Sequence, residues 1–485
     1  MTDSSSSTEH MLSELRTLCQ RYHARLLNLD EQTLTIAIAG PPSEEMIAAL
    51  RFAGNRRIMV EQWPPARMEQ PLEPYNTVAE STETYHADTG YRERNEDSPV
   101  VQFIHQTLRL AVQRRASDIH FEPLSDGYRV RLRIDGVLQE IASPHPDLAN
   151  RITARLKIMG KLNIAERRLP QDGQFSLTLD QHDYSLRIAT LPVHQGEKVV
   201  LRILQTHQQE LALEKLGFTP EALQQLISVL SASQGMLLVT GPTGSGKTVT
   251  LYSAIRWLNN SSRNICSVED PVEIPLQGIN QTAINPKAEL DFSRILRALL
   301  RQDPDVMMIG EIRDAETAEI AVKAAQTGHL VMSTLHTNSA VETLTRLNHL
   351  GIPGYLLAAA LKLIIAQRLV RRLCPHCKTP GDPLPALPDT LWQGPFQHWQ
   401  ANGCHHCFSG YYGRVALYEL LPVTQDFQTA LASNASPHEL SALSRDSKYP
   451  TLLAAGLALV NDGLTSLAEI YRVVGDERSM HQEQQ

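Results

Sequence analysis

Six cysteines in 485 residues are too few for a disulfide scaffold. The first residues, Met1 through Ser7, carry neither the basic nor the apolar region of a secretory signal. Long, purely apolar runs are also lacking. The stretch Leu356 to Leu361 meets Lys362, and the uncharged one before Lys247 is broken by Gln, Ser, Gly and Pro. Nor is there an excess of positive charge: 45 basic against 53 acidic side chains leave a formal −8, which speaks against a generally basic nucleic-acid binder and leaves only local patches. No internal repeat is apparent. These absences predict a soluble, cytoplasmic protein that meets any membrane through a partner. The hydrophobic share of 42% and charged share of 20% are those of an ordinary globular chain, one long enough for about two to four domains.

Against this background one octapeptide stands out: Gly241-Pro242-Thr243-Gly244-Ser245-Gly246-Lys247-Thr248. It follows the apolar run Met236 to Thr240 and leads into Val249 to Ile255. Strand, Gly-rich loop and helix in that order form the context a phosphate-binding P-loop requires. The glycines let backbone N–H groups turn inward around an anion, and the helix N-terminus adds partial positive charge. Lys247 suits the β- and γ-phosphates, and the Thr248 hydroxyl suits Mg²⁺, a hard cation that prefers oxygen. A plain Gly/Ser turn has no need of Lys-Thr at the helix start. A nucleoside triphosphate is expected here.

Residues 1–65 read as a small α/β module: a helix around His10 to Leu27, a strand Thr33 to Ile38, a helix from Glu44 to about Ala53, and a strand Arg57 to Val60. Residues 66–98 turn polar, with Pro71, Pro74 and the charged run Arg92 to Asp97, and have a linker's composition. A second unit, 99–206, opens with a helix and continues through alternating strands, among them Tyr128 to Ile134, Phe175 to Leu179 and Tyr184 to Ile188. Asp135-Gly136 is its hairpin signal. The P-loop unit is assigned to 216–485.

Three segments downstream narrow the chemistry. Asp305 to Glu311 reads as a buried strand ending in a carboxylate, placed to hold Mg²⁺ through water or to orient the attacking water. Asp314 then caps a helix running through Gln326 and stopped at Gly328. Ser267 to Glu273 ends another apolar strand; Glu269 is the candidate general base or water-polarising group, and Asp270 sets up the turn before Pro271. Thr327 to Thr337 ends a strand near His336, the preferred γ-phosphate sensor, whereas His329 is either structural or a second contact.

Together with the P-loop, these segments resemble the type II secretion and type IV pilus assembly ATPase family. Glu269 to Glu273 looks like its Asp box, Gly310 to Asp314 its Walker B box, and His329 to His336 its His box. Upstream, Arg115 to Pro123, Arg133 to Leu138 and Leu169 to Gly173 match as well. The resemblance implies an α/β fold: a RecA-like ATPase domain joined to a PAS-like α+β domain, with ATP between them and six chains in a ring. It further implies that Arg187 and Arg202 supply positive charge to the γ-phosphate when the domains close. The bland alternative makes both solvated strand positions. Gln174 departs from the family, where arginine is common, which weakens any phosphate role for that side chain. Arg297 and Arg301, four apart on one helix face, are weaker candidates for contacting the nucleotide or a neighbouring subunit.

The four remaining motif residues are cysteines. Cys374-Pro375-His376-Cys377 and Cys404-His405-His406-Cys407 are two knuckles 26 residues apart, inside a subdomain assigned to 370–410. Two such pairs supply four thiolates for a tetrahedral, structural Zn²⁺. The three neighbouring histidines are alternative ligands, and a redox role lacks its βαβ context. Cys19 and Cys266 read as small buried apolar residues.

The expected function is a homo-hexameric motor that hydrolyses ATP to drive assembly of a type IV pilus or pseudopilus. It would work on an inner-membrane platform protein, with a membrane-anchored partner docked on the N-terminal module. A type II secretion ATPase is the alternative; retraction motors of the family generally lack the tetracysteine insertion. A nucleic-acid translocase is disfavoured by the acidic balance and the lack of an aromatic and basic groove. A regulatory subunit with little turnover is disfavoured by the full set of boxes.

Overall fold

The computed structural model describes residues 99–204, 211–382, 387–388, 391–445 and 447–475. Within the first 62 residues it describes Cys19 and the stretches 24–29, 33–39, 46–47, 50 and 57–62. The expected linker, 66–98, lies outside the described residues. The chain divides into a unit Met1–Arg92 and a unit Glu93–Gln485.

In the first unit β1 (Ala24–Leu29) pairs antiparallel with β2 (Thr33–Ile38), and β2 pairs parallel with β3 (Arg57–Gln62). Strand β1 takes residues that the sequence reading gave to the end of an opening helix. Pairing explains the difference: β1 covers an edge of β2 that a helix would leave without partners for its N–H and C=O groups. Helical residues 46–47 and 50 lie on the crossover between β2 and β3, and Leu34, Ile36, Met46 and Leu50 share a small core with Cys19.

The second unit begins with α1 (Pro99–Gln113) and α2 (Ala149–Met159), which pack with a six-stranded antiparallel sheet of order β6-β5-β4-β9-β8-β7. Its strands are β4 (Ala116–Leu124), β5 (Gly127–Ile134), β6 (Val137–Ala142), β7 (Gln171–Leu179), β8 (His182–Val193) and β9 (Gly196–Leu204). Along β5 burial alternates residue by residue, so one face meets the helices and the other carries Arg129, Arg131 and Arg133. Asp135-Gly136 makes the β5–β6 turn.

A seven-stranded sheet of order β12-β11-β13-β14-β10-β15-β18, edged by β12 (Asn280–Ala283) and β18 (Tyr411–Pro422), forms the rest of the core, parallel except for the β15–β18 pair. Strands β10 (Gly235–Thr240), β13 (Val306–Ile309) and β14 (Leu330–Leu335) are buried along their whole length, as expected where helices cover both faces. Strand β11 (Ile265–Glu269) flanks β13, and β15 (Leu361–Leu373) flanks β10 on its other side. In register, Thr240 stands beside Leu335, Ile309 beside Ser333, and Val268 beside Ile309. The segments that follow these strands therefore emerge at one edge, where ligands bind open parallel sheets.

Candidate active site and metal centre

The P-loop leaves β10 at Gly241 and ends in α3 (Lys247–Leu258). Its first and last glycines have specific reasons to be glycine. Gly241 has φ +149°, and a Cβ there would sit 2.4 Å from the Gln367 carbonyl oxygen; Gly246 has φ +91°, and a Cβ would meet Gln367 Nε2 at 2.7 Å. The loop is thus seated against β15. Lys247 folds across it, Nζ donating to the Gly241 and Pro242 carbonyls at 2.7 and 3.1 Å. Burial lowers this ammonium to about 8, with Glu311 opposing the shift and Arg368 adding to it. Thr248 is exposed at the helix start, while the Ser245 hydroxyl is buried without a hydrogen-bond partner.

Glu311 follows β13 and lies 3.4 Å from His336 Nε2, which follows β14. Burial by itself would raise this carboxyl, but Arg313, hydrogen-bonded at 2.5 Å, together with His336 and Lys247 holds it below its ordinary value. His336 is lowered, first by burial and then by Lys247, so a neutral imidazole faces the carboxylate at neutral pH. Lys247, Glu311 and His336 are therefore brought together by three neighbouring strands. His329 is not among them: its Nδ1 donates to the Ala324 carbonyl at 3.0 Å, at the end of α5 (Ala315–Gln326). Asp314 caps that helix, accepting from Thr317 N at 2.8 Å. The intervening α4 (Phe292–Leu299) carries Arg297, which is paired with Glu316 at 2.5 Å.

Glu269 ends β11 and is 4% exposed. It accepts from the Tyr252 hydroxyl, from Ser267 Oγ at 2.6 Å and from Gln281 Nε2 at 3.1 Å, so both oxygens are engaged. Asp270 instead pairs with Arg313 at 3.3 Å, and that guanidinium spans the Asp box and Glu311. The sequence reading gave no role to Arg313 or Tyr252. The adjacency of β11 and β13 lets Arg313 bridge Asp270 and Glu311, while Tyr252 reaches Glu269 from α3.

Arg187 and Arg202 are register partners on β8 and β9, and the row continues through Gln174, Asp118 and Arg133. Arg202 Nε donates to Asp118 at 3.0 Å within its own sheet. Arg187 reaches the segment after β11, 3.7 Å from Glu273. Gln174 Nε2 donates to Ser185. Neither arginine contacts Lys247 or Glu311 in this arrangement.

The four motif cysteines lie far from this edge. Cys374 follows β15, Cys407 precedes β18 (Tyr411–Pro422), and between the knuckles a short β16 (Thr379–Pro380) pairs with β17 (Trp399–Gln400). All four sulfurs lie within 4.8 Å of one another, with Cys374–Cys404 and Cys377–Cys407 at 3.8 and 3.7 Å. A disulfide needs about 2.05 Å. Four thiolates about 2.3 Å from a tetrahedral Zn²⁺ stand about 3.8 Å apart, so the donor set and its spacing fit zinc. Beside the site, Gly413 N donates to Asp135 at 2.9 Å, and the Arg115 guanidinium lies 3.8 Å from the Tyr412 ring centroid.

Residues 93–472 match the family described as type II/IV secretion system protein. The chain is 50% identical over 465 residues to the protein transport protein HofB homolog of Escherichia coli, covering 96% of this chain and 98% of that one. It is 48% identical over 388 residues to the type IV pilus assembly ATPase PilB of Pseudomonas aeruginosa, covering 79% and 68%. Among solved structures it resembles the pilus retraction motor PilT with bound ADP, at TM-score 0.52 and 26% identity over 78% of this chain and 99% of that one. With a P-loop, a Walker B glutamate and a His box at one sheet edge, the chain belongs to the type II/IV secretion system family of motor ATPases.

Proposed function

We propose that this ATPase works as a homo-hexamer on the cytoplasmic face of the inner membrane, assembling a type IV pilus or pseudopilus through a platform protein. The N-terminal unit would dock a membrane-anchored partner. The observation that carries the hydrolytic part is the convergence of Glu311 on Lys247 and His336. The choice of machine is supported by the 48% identity to a pilus assembly ATPase and by the tetracysteine cluster. Protein export by type II secretion is the second reading, favoured by the family description itself.

In this proposal the loop Gly241 to Thr248 cradles the phosphates of ATP, and Lys247 moves from its carbonyl partners to the β- and γ-oxygens. Thr248 and Glu311 would hold Mg²⁺, which neutralises phosphate charge when bound. Glu311 orients the attacking water, ionised because Arg313 keeps it so. His336, neutral, donates a hydrogen bond toward the γ-phosphate. Glu269 is the second acidic candidate, a role for which it must release Ser267 or Gln281 to reach a water. The six-stranded domain is read as the PAS-like domain that carries Arg187 and Arg202 to the γ-phosphate on closure. Cys374, Cys377, Cys404 and Cys407 hold one structural Zn²⁺.

The test is phosphate release by the purified chain measured against its oligomeric mass, with metal content determined on the same sample. Mg²⁺-dependent hydrolysis that rises with the hexamer and is lost in Lys247→Ala, with one zinc per chain, is expected. A monomer that binds ATP without turnover would favour a regulatory subunit. DNA-stimulated turnover would point to a translocase.

A further inference from the structure

Arg368 lies on β15 and is 5% exposed, the one arginine among the described residues that is buried. Burying a guanidinium is costly unless a carboxylate or several acceptors meet it. No carboxylate lies within ion-pairing distance of Arg368 among the described residues, and Glu419 and Glu342 act on it only through their fields. Its partners are neutral oxygens: Nη2 donates to the Asn338 carbonyl at 2.7 Å and to Asn338 Oδ1 at 3.5 Å, and Nη1 to the Gln367 carbonyl at 3.0 Å. A cation kept dry and without a counter-charge is a cation left available to an anion.

Its position says which anion. Strand β15 pairs with β10 as far as Ala366 opposite Thr240, so Gln367 and Arg368 run on beside the first residues of the P-loop. A Cβ on Gly241 would stand 3.1 Å from Arg368 Nη1. The Arg368 charge also depresses the Lys247 ammonium, which places the two cations in electrostatic reach of one another. Asn338 belongs to the loop that leaves β14 through His336 and enters α6 (Ala340–His349). The same loop is tied to the P-loop strand, Thr337 N donating to Thr240 Oγ1 at 3.0 Å. Thr250, in the first turn of α3, donates to Gln367 Oε1 at 2.8 Å. One buried side chain therefore stands beside the start of the P-loop and holds the loop of the γ-phosphate sensor to β15.

We propose that Arg368 is a positioning residue of the phosphate site: it fixes the His336 loop against the P-loop and adds a permanent positive charge beside it. The inference rests on the P-loop reading above. Charge alone serves binding, because a fixed cation in a dry setting strengthens the attraction for phosphate oxygens. The planar fork serves hydrolysis, because only a group with several directed N–H donors holds the Asn338 and Gln367 carbonyls together.

The experiment uses the full chain and titrates it with fluorescent ADP, with competing unlabelled adenosine, and with ATP in steady-state turnover. Arg368→Gln is expected to weaken ADP by about tenfold while leaving adenosine unchanged, since adenosine carries no phosphate to feel the charge. Arg368→Lys keeps the charge and loses the fork; ADP affinity should stay within about threefold while kcat falls by about tenfold. Equal losses of ADP and adenosine in Arg368→Gln, or undiminished ADP affinity, would overturn the proposal. Should Arg368→Gln not fold, a parental kcat in Arg368→Lys overturns it equally. Lys247→Ala separates the two levels. If that variant binds ADP as the parent does, the P-loop reading fails; if it loses ADP while Arg368→Gln does not, only the role of Arg368 fails.

Discussion

The two sheets of the larger unit handle charge in opposite ways. At the edge of the seven-stranded sheet, Lys247, Glu311 and His336 are collected from three neighbouring strand ends, and the lysine's partners are carbonyls that a phosphate can replace. On the six-stranded sheet several arginines are already matched: Asp118 holds Arg202, Glu122 accepts from Arg131 at 2.7 Å, and Arg187 stands beside Glu273. The first arrangement is poised for a ligand. The second must give something up before it acts. In a motor this asymmetry fits the proposed closure, because groups that arrived only then would tie hydrolysis to motion.

The largest test of this contrast is Glu311→Gln. It removes the group proposed to orient water while preserving size, so turnover should fall by about a hundredfold or more with ATP binding retained. Parallel measurement of phosphate release and nucleotide affinity checks both halves, and a variant that hydrolyses normally would dissolve the distinction between the sheets. A middle-sized effect is expected at Arg187. Arg187→Ala should lower kcat by about tenfold without changing ADP affinity, whereas Glu273→Gln, which frees the arginine, should not reproduce that loss. The pair is partly exposed, so neither change should move the melting temperature by much. Full activity in Arg187→Ala would leave that sheet's arginines purely structural.

The smallest effect is in pH. Burial brings Lys247 to about 8, and phosphate binds its protonated form. Affinity for ADP is therefore full below about pH 8 and declines as pH rises through it, by at most about tenfold per unit until the raised pKa of the bound lysine is passed. Fluorescence titrations between about pH 7 and about pH 9 would register this slope. A flat profile would mean that Lys247 stays charged and that burial counts for less than the geometry implies.

Local grammar made much of this legible in the sequence. The P-loop, the Asp314 cap and the Asp135-Gly136 turn each depend on residues a few positions apart, and the comparisons bear out the family read from the boxes. What was hidden depends on which strands lie side by side. Tyr252 and Glu269 are 17 residues apart, Asp118 and Arg202 84, and Thr250 and Gln367 117; nothing local announces such partners. The same limit explains strand β1, whose residues fit a helix by spacing but pair with β2 in the fold.

A sheet whose P-loop, Glu311 and His336 all follow the strands separates two kinds of inheritance. Met236 to Val239, Val306 to Ile309 and Leu330 to Met332 answer only to volume and apolarity, and descendants are free to exchange one aliphatic residue for another there. Gly241, Gly246 and Glu311, at the tips, have no such latitude, because backbone clearance or charge decides them. Over long divergence the strands should drift while the tips stand still, so that distant descendants would be recognised by the punctuation of the sheet and not by its words.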